Sequence, residues 1–183
     1  MNKLRLIAIA AAASCFAAMP ASAALLIGKT VNLLYVFPTS TTTYEGPYAN
    51  TVGTTGTTTF FGLVGATPGD TTLDLTFTSD GTFLPTSFNG VRLDAGAAGA
   101  NPFTSVTINA ATNVVGFDAS RVTFDATNIY LNLQALSVDS ASVIQVDITG
   151  AETVPEPAAW TLMIGGFGLV GGAMRRRPVA VAA

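Results

Sequence analysis

The stretch "TTLDLTFTSDG", Thr71 to Gly81, decides the fold. Leu73, Leu75 and Phe77 alternate with Asp74, Thr76 and Thr78. Such a period of two turns one face of a strand to a core and the other to water. Asp80-Gly81 then closes the run and "TFLP" follows, which predicts a hairpin. The alternation recurs downstream. Ile129, Leu131 and Leu133 alternate with Tyr130, Asn132 and Gln134, and Ile144, Val146 and Ile148 with Gln145, Asp147 and Thr149. Val122 and Phe124 repeat it in "RVTFD". "TVNLLYVF", from Thr30 to Phe37, is apolar on both faces and predicts a more deeply buried strand. "TTTFFGLV", "SFNGVRL" and "FTSVTI" are further strand candidates, and no helical periodicity occurs between Ala24 and Val154.

Turn residues separate these runs. Pro68-Gly69-Asp70 and the small-residue run from Ala95 to Pro102 read as loops, and Asn89-Gly90 as a hairpin or a bulge. "FDAS" at Phe117 and "FDAT" at Phe124 read as turns flanking one strand. "TSTTTYEGPYANTVGTTGTTT", from Thr39 to Thr59, is either a long exposed loop or two weak edge strands. Its threonines cluster irregularly, which argues against a flat ice-binding array. Eight or nine short strands with frequent turns predict an all-β fold, an antiparallel β-sandwich of jelly-roll type, with a small barrel as the alternative.

The N-terminus has the layout of a secretory signal peptide over residues 1–23. Lys3 and Arg5 are followed by an uncharged run from Leu6 to Ala18, a break at Pro20 and the small-x-small site formed by Ala21 and Ala23. Signal peptidase and the Sec export machinery are the partners expected there, with the mature chain starting at Ala24. The single cysteine, Cys15, lies inside this leader. Ala12 is a poor fit to the Leu favoured at that place in lipoprotein sites, so Cys15 reads as an apolar-run residue. The mature domain then stands without disulfides.

The C-terminal end mirrors this. Val154-Pro155-Glu156-Pro157 precedes an uncharged, glycine-studded run from Ala158 to Met174, and Arg175, Arg176 and Arg177 follow. The run would span about 26 Å as a helix, slightly short of the roughly 30 Å hydrocarbon core. Trp160 suits the headgroup layer, and the three arginines fix a cytoplasmic end, so the rest lies outside. Gly166, Gly168 and Gly171 spell GxGxxG, but no preceding strand or following βαβ unit supports a dinucleotide site.

This order of motif, span and basic end resembles the PEP-CTERM sorting signal of Gram-negative bacteria, of the PEPxxWA type, whose tail is also catalogued as the ice-binding protein C-terminal domain. Thr161 stands where that variant has Ala. The resemblance covers about the last 25 residues. It implies recognition of Pro155, Glu156 and Pro157, with Trp160, by an exosortase, a membrane transpeptidase. It also implies a membrane-held precursor that is then processed, an envelope or extracellular destination, and association with polysaccharide and biofilm matrix. Proline restricts φ and removes amide donors, which keeps such a step extended. A C-terminal anchor that is never cut is the alternative.

Residues 24–153 remain, about the size of one ordinary domain. Between Ala24 and Pro157, three cations (Lys29, Arg92, Arg121) face eleven acids, a net charge of −8. Such a surface repels nucleic acid and anionic membranes. With no histidine and no mature cysteine, the usual bases and soft metal ligands are missing, and no cofactor or catalytic residue is expected. Carboxylate loops can take calcium, but without EF-hand or Asp-repeat spacing turn formation is the favoured reading and no metal site is assigned. Asp74, Asp125 and Asp147 fall on polar strand faces, while Asp70, Asp80, Asp94 and Asp118 fall in loops, where aspartate makes turns. A carboxylate-only glycosidase would need two of them facing one bond, and nothing singles out a pair. Tyr44 and Tyr48, flanking Glu45-Gly46-Pro47, are candidate sugar contacts. The body reads as a structural or adhesive protein of the matrix, with a carbohydrate-binding module as the alternative.

Overall fold

The computed structural model describes residues 24–99, 103–151, 163–169 and 171. Among them the domain is β throughout, with two short 3-10 turns. One antiparallel sheet contains β1 (Thr30–Val36), β2 (Thr43–Thr51), β7 (Gly90–Asp94), β9 (Val122–Phe124) and β10 (Asn128–Asn132), in the order β2-β1-β7-β10-β9. The other contains β3 (Thr58–Phe60), β4 (Val64–Pro68), β5 (Thr72–Phe77), β8 (Phe103–Ile108) and β12 (Val143–Gly150), in the order β3-β4-β5-β12-β8. A two-residue ladder joins β6 (Gly81–Thr82) to β11 (Ser137–Val138).

The alternation seen in the sequence builds the core. Leu73, Leu75 and Phe77 of β5 and Ile144, Val146 and Ile148 of β12 meet Val31, Leu33, Val91, Leu93, Ile129 and Leu131 of the opposite sheet in one buried cluster. This is the two-layer arrangement expected of strands with one apolar face. β1 is buried on both faces as its composition predicts. Leu34 and Val36 point away from the main core, and Phe88 and Tyr130 cover them.

Four expectations need correction. The chain does not follow jelly-roll connectivity. Neighbours in sequence stay in one sheet as a hairpin (β1-β2), a meander (β3-β4-β5) and a second hairpin (β9-β10), where a jelly roll would mostly alternate sheets. There are twelve strands among the described residues rather than eight or nine, because β6 and β11 are too short to show a period and a turn splits the "TTTFFGLV" run into β3 and β4. Asp80-Gly81 does not close a hairpin, since the chain leaves β5 there and β6 pairs with β11 some 55 residues on. Asn89-Gly90 is neither a hairpin nor a bulge. Gly90 opens β7 in regular register, and a Cβ there would collide with the carbonyl oxygen of Leu131. The Thr39 to Thr59 stretch resolves into the two edge strands β2 and β3, one on each sheet.

Residues 163–169 are helical, inside the span expected at 158–174. Among the described residues no helix is long and apolar enough to cross a membrane. The remainder of that span lies outside the described residues, as do the leader and the Arg175 to Arg177 cluster.

Candidate functional site

Two ends of the sandwich must be distinguished. At one, Leu25 and Leu26 are buried two residues after the expected leader cleavage. The Leu26 and Ile27 amides both donate to Asp70 Oδ1, at 2.8 Å each, so a loop aspartate ties down the start of the domain. Leu25 packs against Gly150, the last residue of β12. The first residues of the domain and its last strand therefore meet at one pole.

The opposite pole carries a cluster of aromatic side chains. Tyr35 lies near the far end of β1, where it pairs with Glu45 of β2. Its ring meets Phe60 at 5.7 Å and Phe61 edge-on at 4.8 Å. Tyr44 contacts Phe37 at 5.7 Å and Phe61 at 5.4 Å, and Tyr48 contacts Phe60 at 5.9 Å. Tyr35, Phe37, Tyr44, Phe61, Leu84 and Asn89 line an open depression of about 250 Å³. Tyr44, Phe61 and Leu84 remain 65%, 50% and 61% exposed, so much of this apolar surface faces water.

Glu45 organises the cluster. Its Oε1 accepts from the Tyr48 hydroxyl at 2.9 Å and its Oε2 from the Phe61 amide at 3.1 Å. The hydrogen bond to Glu45, with lesser contributions from desolvation and the carboxylate charge, holds the Tyr48 hydroxyl above the usual tyrosine range. Below the rings, the Tyr35 hydroxyl donates to Asn89 Oδ1 at 2.5 Å, and Asn89 Nδ2 donates to the Leu84 carbonyl at 3.2 Å. Burial pushes the Tyr35 hydroxyl well above its ordinary value. Asn89 is thus a buried polar residue with both side-chain ends satisfied, as a closed network requires.

Phe61 is the residue that sequence reasoning missed. It follows Phe60 in a β3-β4 turn closed by the Leu63 amide on the Phe60 carbonyl at 2.9 Å. Phe61 and Gly62 have φ of 51° and 66°, the two left-handed positions of a type I′ turn. Asn is the favoured residue at the first of them and a bulky side chain is strained there. The available signal was "FFG", in which period two buries one phenylalanine and exposes the other. Of the two tyrosines expected to contact sugar, the structure places Tyr44 in the lining of the depression and Tyr48 beside it, braced by Glu45.

The aspartates act mainly as turn formers. Asp118 accepts from Ser120, Asp125 from Thr127 and Asn128, and Asp139 from Ala141 and Ser142. These bonds, led by the Ser120 side chain, the Thr127 amide and the Ser142 side chain respectively, hold all three carboxyls below the usual range. On the polar strand faces, Asp74 accepts from Gln145 at 2.6 Å and Asp147 from Asn109 at 3.0 Å. Asp125, expected on a strand face, sits instead in the turn after β9. A second depression of about 550 Å³ is lined by Asp80, Asn113, Ser137 and Asp139. The lowered Asp139 carboxyl is the opposite of what a glycosidase general acid needs. Among the described residues no cluster of three or more acidic, cysteine or histidine side chains is placed to hold a metal.

The domain is thus an antiparallel β-sandwich with an aromatic depression at one pole and its N-terminal segment tied at the other. Residues 153–177 match the PEP-CTERM protein-sorting motif, which implies an exported protein processed at the membrane by an exosortase-type partner. No curated protein and no solved structure matches the chain. Pro155, Glu156, Pro157, Trp160 and Arg175 to Arg177 fall within the matched segment but outside the described residues, as do Ala21 and Ala23.

Proposed function

We propose that this chain is a cell-envelope or matrix protein, exported after cleavage at Ala23 and held at the inner membrane by residues 158–174 and the arginines behind them. An exosortase-type transpeptidase then acts at Pro155-Glu156-Pro157. The freed β-sandwich serves as a structural or adhesive component of the extracellular polysaccharide matrix. The observation that carries this reading is the place of the sorting motif relative to the fold. β12 ends at Gly150 and the matched segment begins at residue 153, so processing there removes none of the described strands. Burial of Leu25 and Leu26 is consistent with that cleavage, because a cut after Ala23 leaves both core residues on the mature chain.

The test is a comparison of the native chain with one in which Pro155, Glu156 and Pro157 are all alanine. The native protein is expected to lose its tail and leave the membrane fraction, and the variant to keep both tail and membrane association. Equal retention of the tail in both chains favours the permanent anchor instead. Carbohydrate binding is the second reading for the body, and the aromatic depression is the observation that favours it.

A further inference from the structure

We infer that the depression lined by Tyr35, Phe37, Tyr44, Phe61, Leu84 and Asn89 is a binding site for a neutral glycan chain, presented at the pole that points away from the membrane. The inference rests on the proposed delivery for its orientation, while the binding itself rests on the site alone.

Strain is the first argument. A turn that served stability alone would place Asn or Gly at position 61, since a non-glycine residue at φ 51° is disfavoured. Here a phenylalanine occupies it, half exposed, with its amide held by Glu45. Strained residues kept in place by their surroundings concentrate at binding and switching sites. Tyr44 and Leu84 extend the exposed surface around it, and contiguous apolar patches carry more meaning than scattered ones.

The chemistry of the lining then narrows the ligand. A pyranose presents apolar C–H faces and polar hydroxyl edges. Tyr44 and Phe61 offer rings for the first. For the second, the Tyr44 hydroxyl has no hydrogen-bond partner among the described residues, and the Tyr35 oxygen, having donated to Asn89, can still accept. No charged side chain lines the depression, and both Glu45 oxygens beside it are engaged. Residues 24–151 carry three cations and nine acids, a net −6, so an anionic polymer is repelled and a neutral one is not. The volume of about 250 Å³ lies below the roughly 300–1,000 Å³ of enclosed ligand pockets. An open site of that size grips one or two rings of a longer chain.

Topology supplies the orientation. Gly150, where the chain leaves toward the sorting segment, meets Leu25 beside the Thr30 end of β1. Tyr35 and the depression lie at its Val36 end. Seven strand residues separate the two poles by about 23 Å. While the tail is attached, the exit lies at the pole nearer the membrane and the aromatic site at the far one.

The test uses the protein recovered from cells, with its intact mass recorded, titrated calorimetrically with cellohexaose and separately with polygalacturonate. Saturable binding of cellohexaose alone is expected. Tyr44→Ala and Phe61→Asn should each weaken it about tenfold, the scale of one lost aromatic contact. Phe61→Asn keeps the type I′ turn, so its effect reads the ring rather than the fold. Val115→Ala, at an exposed position bordering the other depression, should leave binding unchanged. The inference is overturned by failure to bind cellohexaose, by undiminished binding in both ring variants, or by self-association through this face that Phe61→Asn abolishes. A processed chain that does not bind refutes the site and spares the sorting reading. A chain that binds with its tail still attached does the reverse.

Discussion

Replacing Phe61 by Ala and by Gly separates the ring from the backbone that carries it. Both variants lose the contacts with Tyr35 at 4.8 Å and Tyr44 at 5.4 Å. Each aromatic pair contributes about 0.5–1.5 kcal/mol, so both variants should fall below the native protein by roughly 1–3 kcal/mol. Their difference reads the turn alone. A Cβ in the left-handed region costs about 1–2 kcal/mol, which Gly escapes. The greater freedom of Gly in the unfolded chain takes back about 0.5–1 kcal/mol. At φ 51° the balance favours Phe61→Gly over Phe61→Ala by about 0.5–1 kcal/mol. At an ordinary strand position the sign is the opposite. With an urea slope of about 1.5 kcal/mol/M, the two unfolding midpoints should differ by about 0.3–0.7 M, Gly above Ala. An alanine variant as stable as the glycine variant, or more so, would refute the claim that the turn stores strain at this ring.

Other consequences follow from single groups. Tyr35→Phe leaves the buried Asn89 Oδ1 without its donor and should cost about 1–3 kcal/mol at neutral pH. Because burial raises the Tyr35 pKa, its contribution is complete below the unfolded value of about 10 and is lost as pH rises above it. The native protein should therefore lose stability faster than Tyr35→Phe between pH 9 and 11, as read by urea melts. Ala135 has φ 56° at the third position of a turn closed by the Leu136 amide on the Leu133 carbonyl. Ala135→Gly should raise stability by about 0.5–1 kcal/mol in the same assay. Asp125, lowered chiefly by the Thr127 amide, contributes stability above the usual carboxylate pKa of about 3.9 and loses it as pH falls through the lower folded value. Asp125→Asn should flatten the acid limb of the stability profile below pH 4.

The main strands were legible because burial on one face enforces period two. Leu73 to Phe77, Ile129 to Leu133 and Ile144 to Ile148 all have it, and all point into the core. Local turn chemistry was legible at Asp118, which bonds to Ser120 two residues on, whereas Asp125, read as a strand-face residue, follows a strand too short to mark where its alternation stops. Pairing between distant segments was not. Nothing around Asp80-Gly81 signals a partner at Ser137–Val138, because two residues cannot express a period and a partner some 55 residues distant leaves no local trace. Gly90 had the same limitation, since the group that requires a glycine there is the carbonyl of Leu131 on the neighbouring strand. In the site, Tyr44 and Tyr48 stood out as aromatics in a polar stretch, whereas Phe61 was hidden in a run that read as one continuous strand. The Pro-Glu-Pro motif, the apolar run and the arginines needed no structure at all, because a sorting signal is read as linear sequence.

The central claim is that a folded β domain is delivered by a removable tail, and the intact mass of the protein recovered from its producing cells tests it most directly. The account predicts a chain that begins at Ala24, retains the whole sandwich through Gly150, and has lost the residues beyond about Pro157, including Arg175 to Arg177. A recovered chain whose mass still includes those three arginines would contradict it.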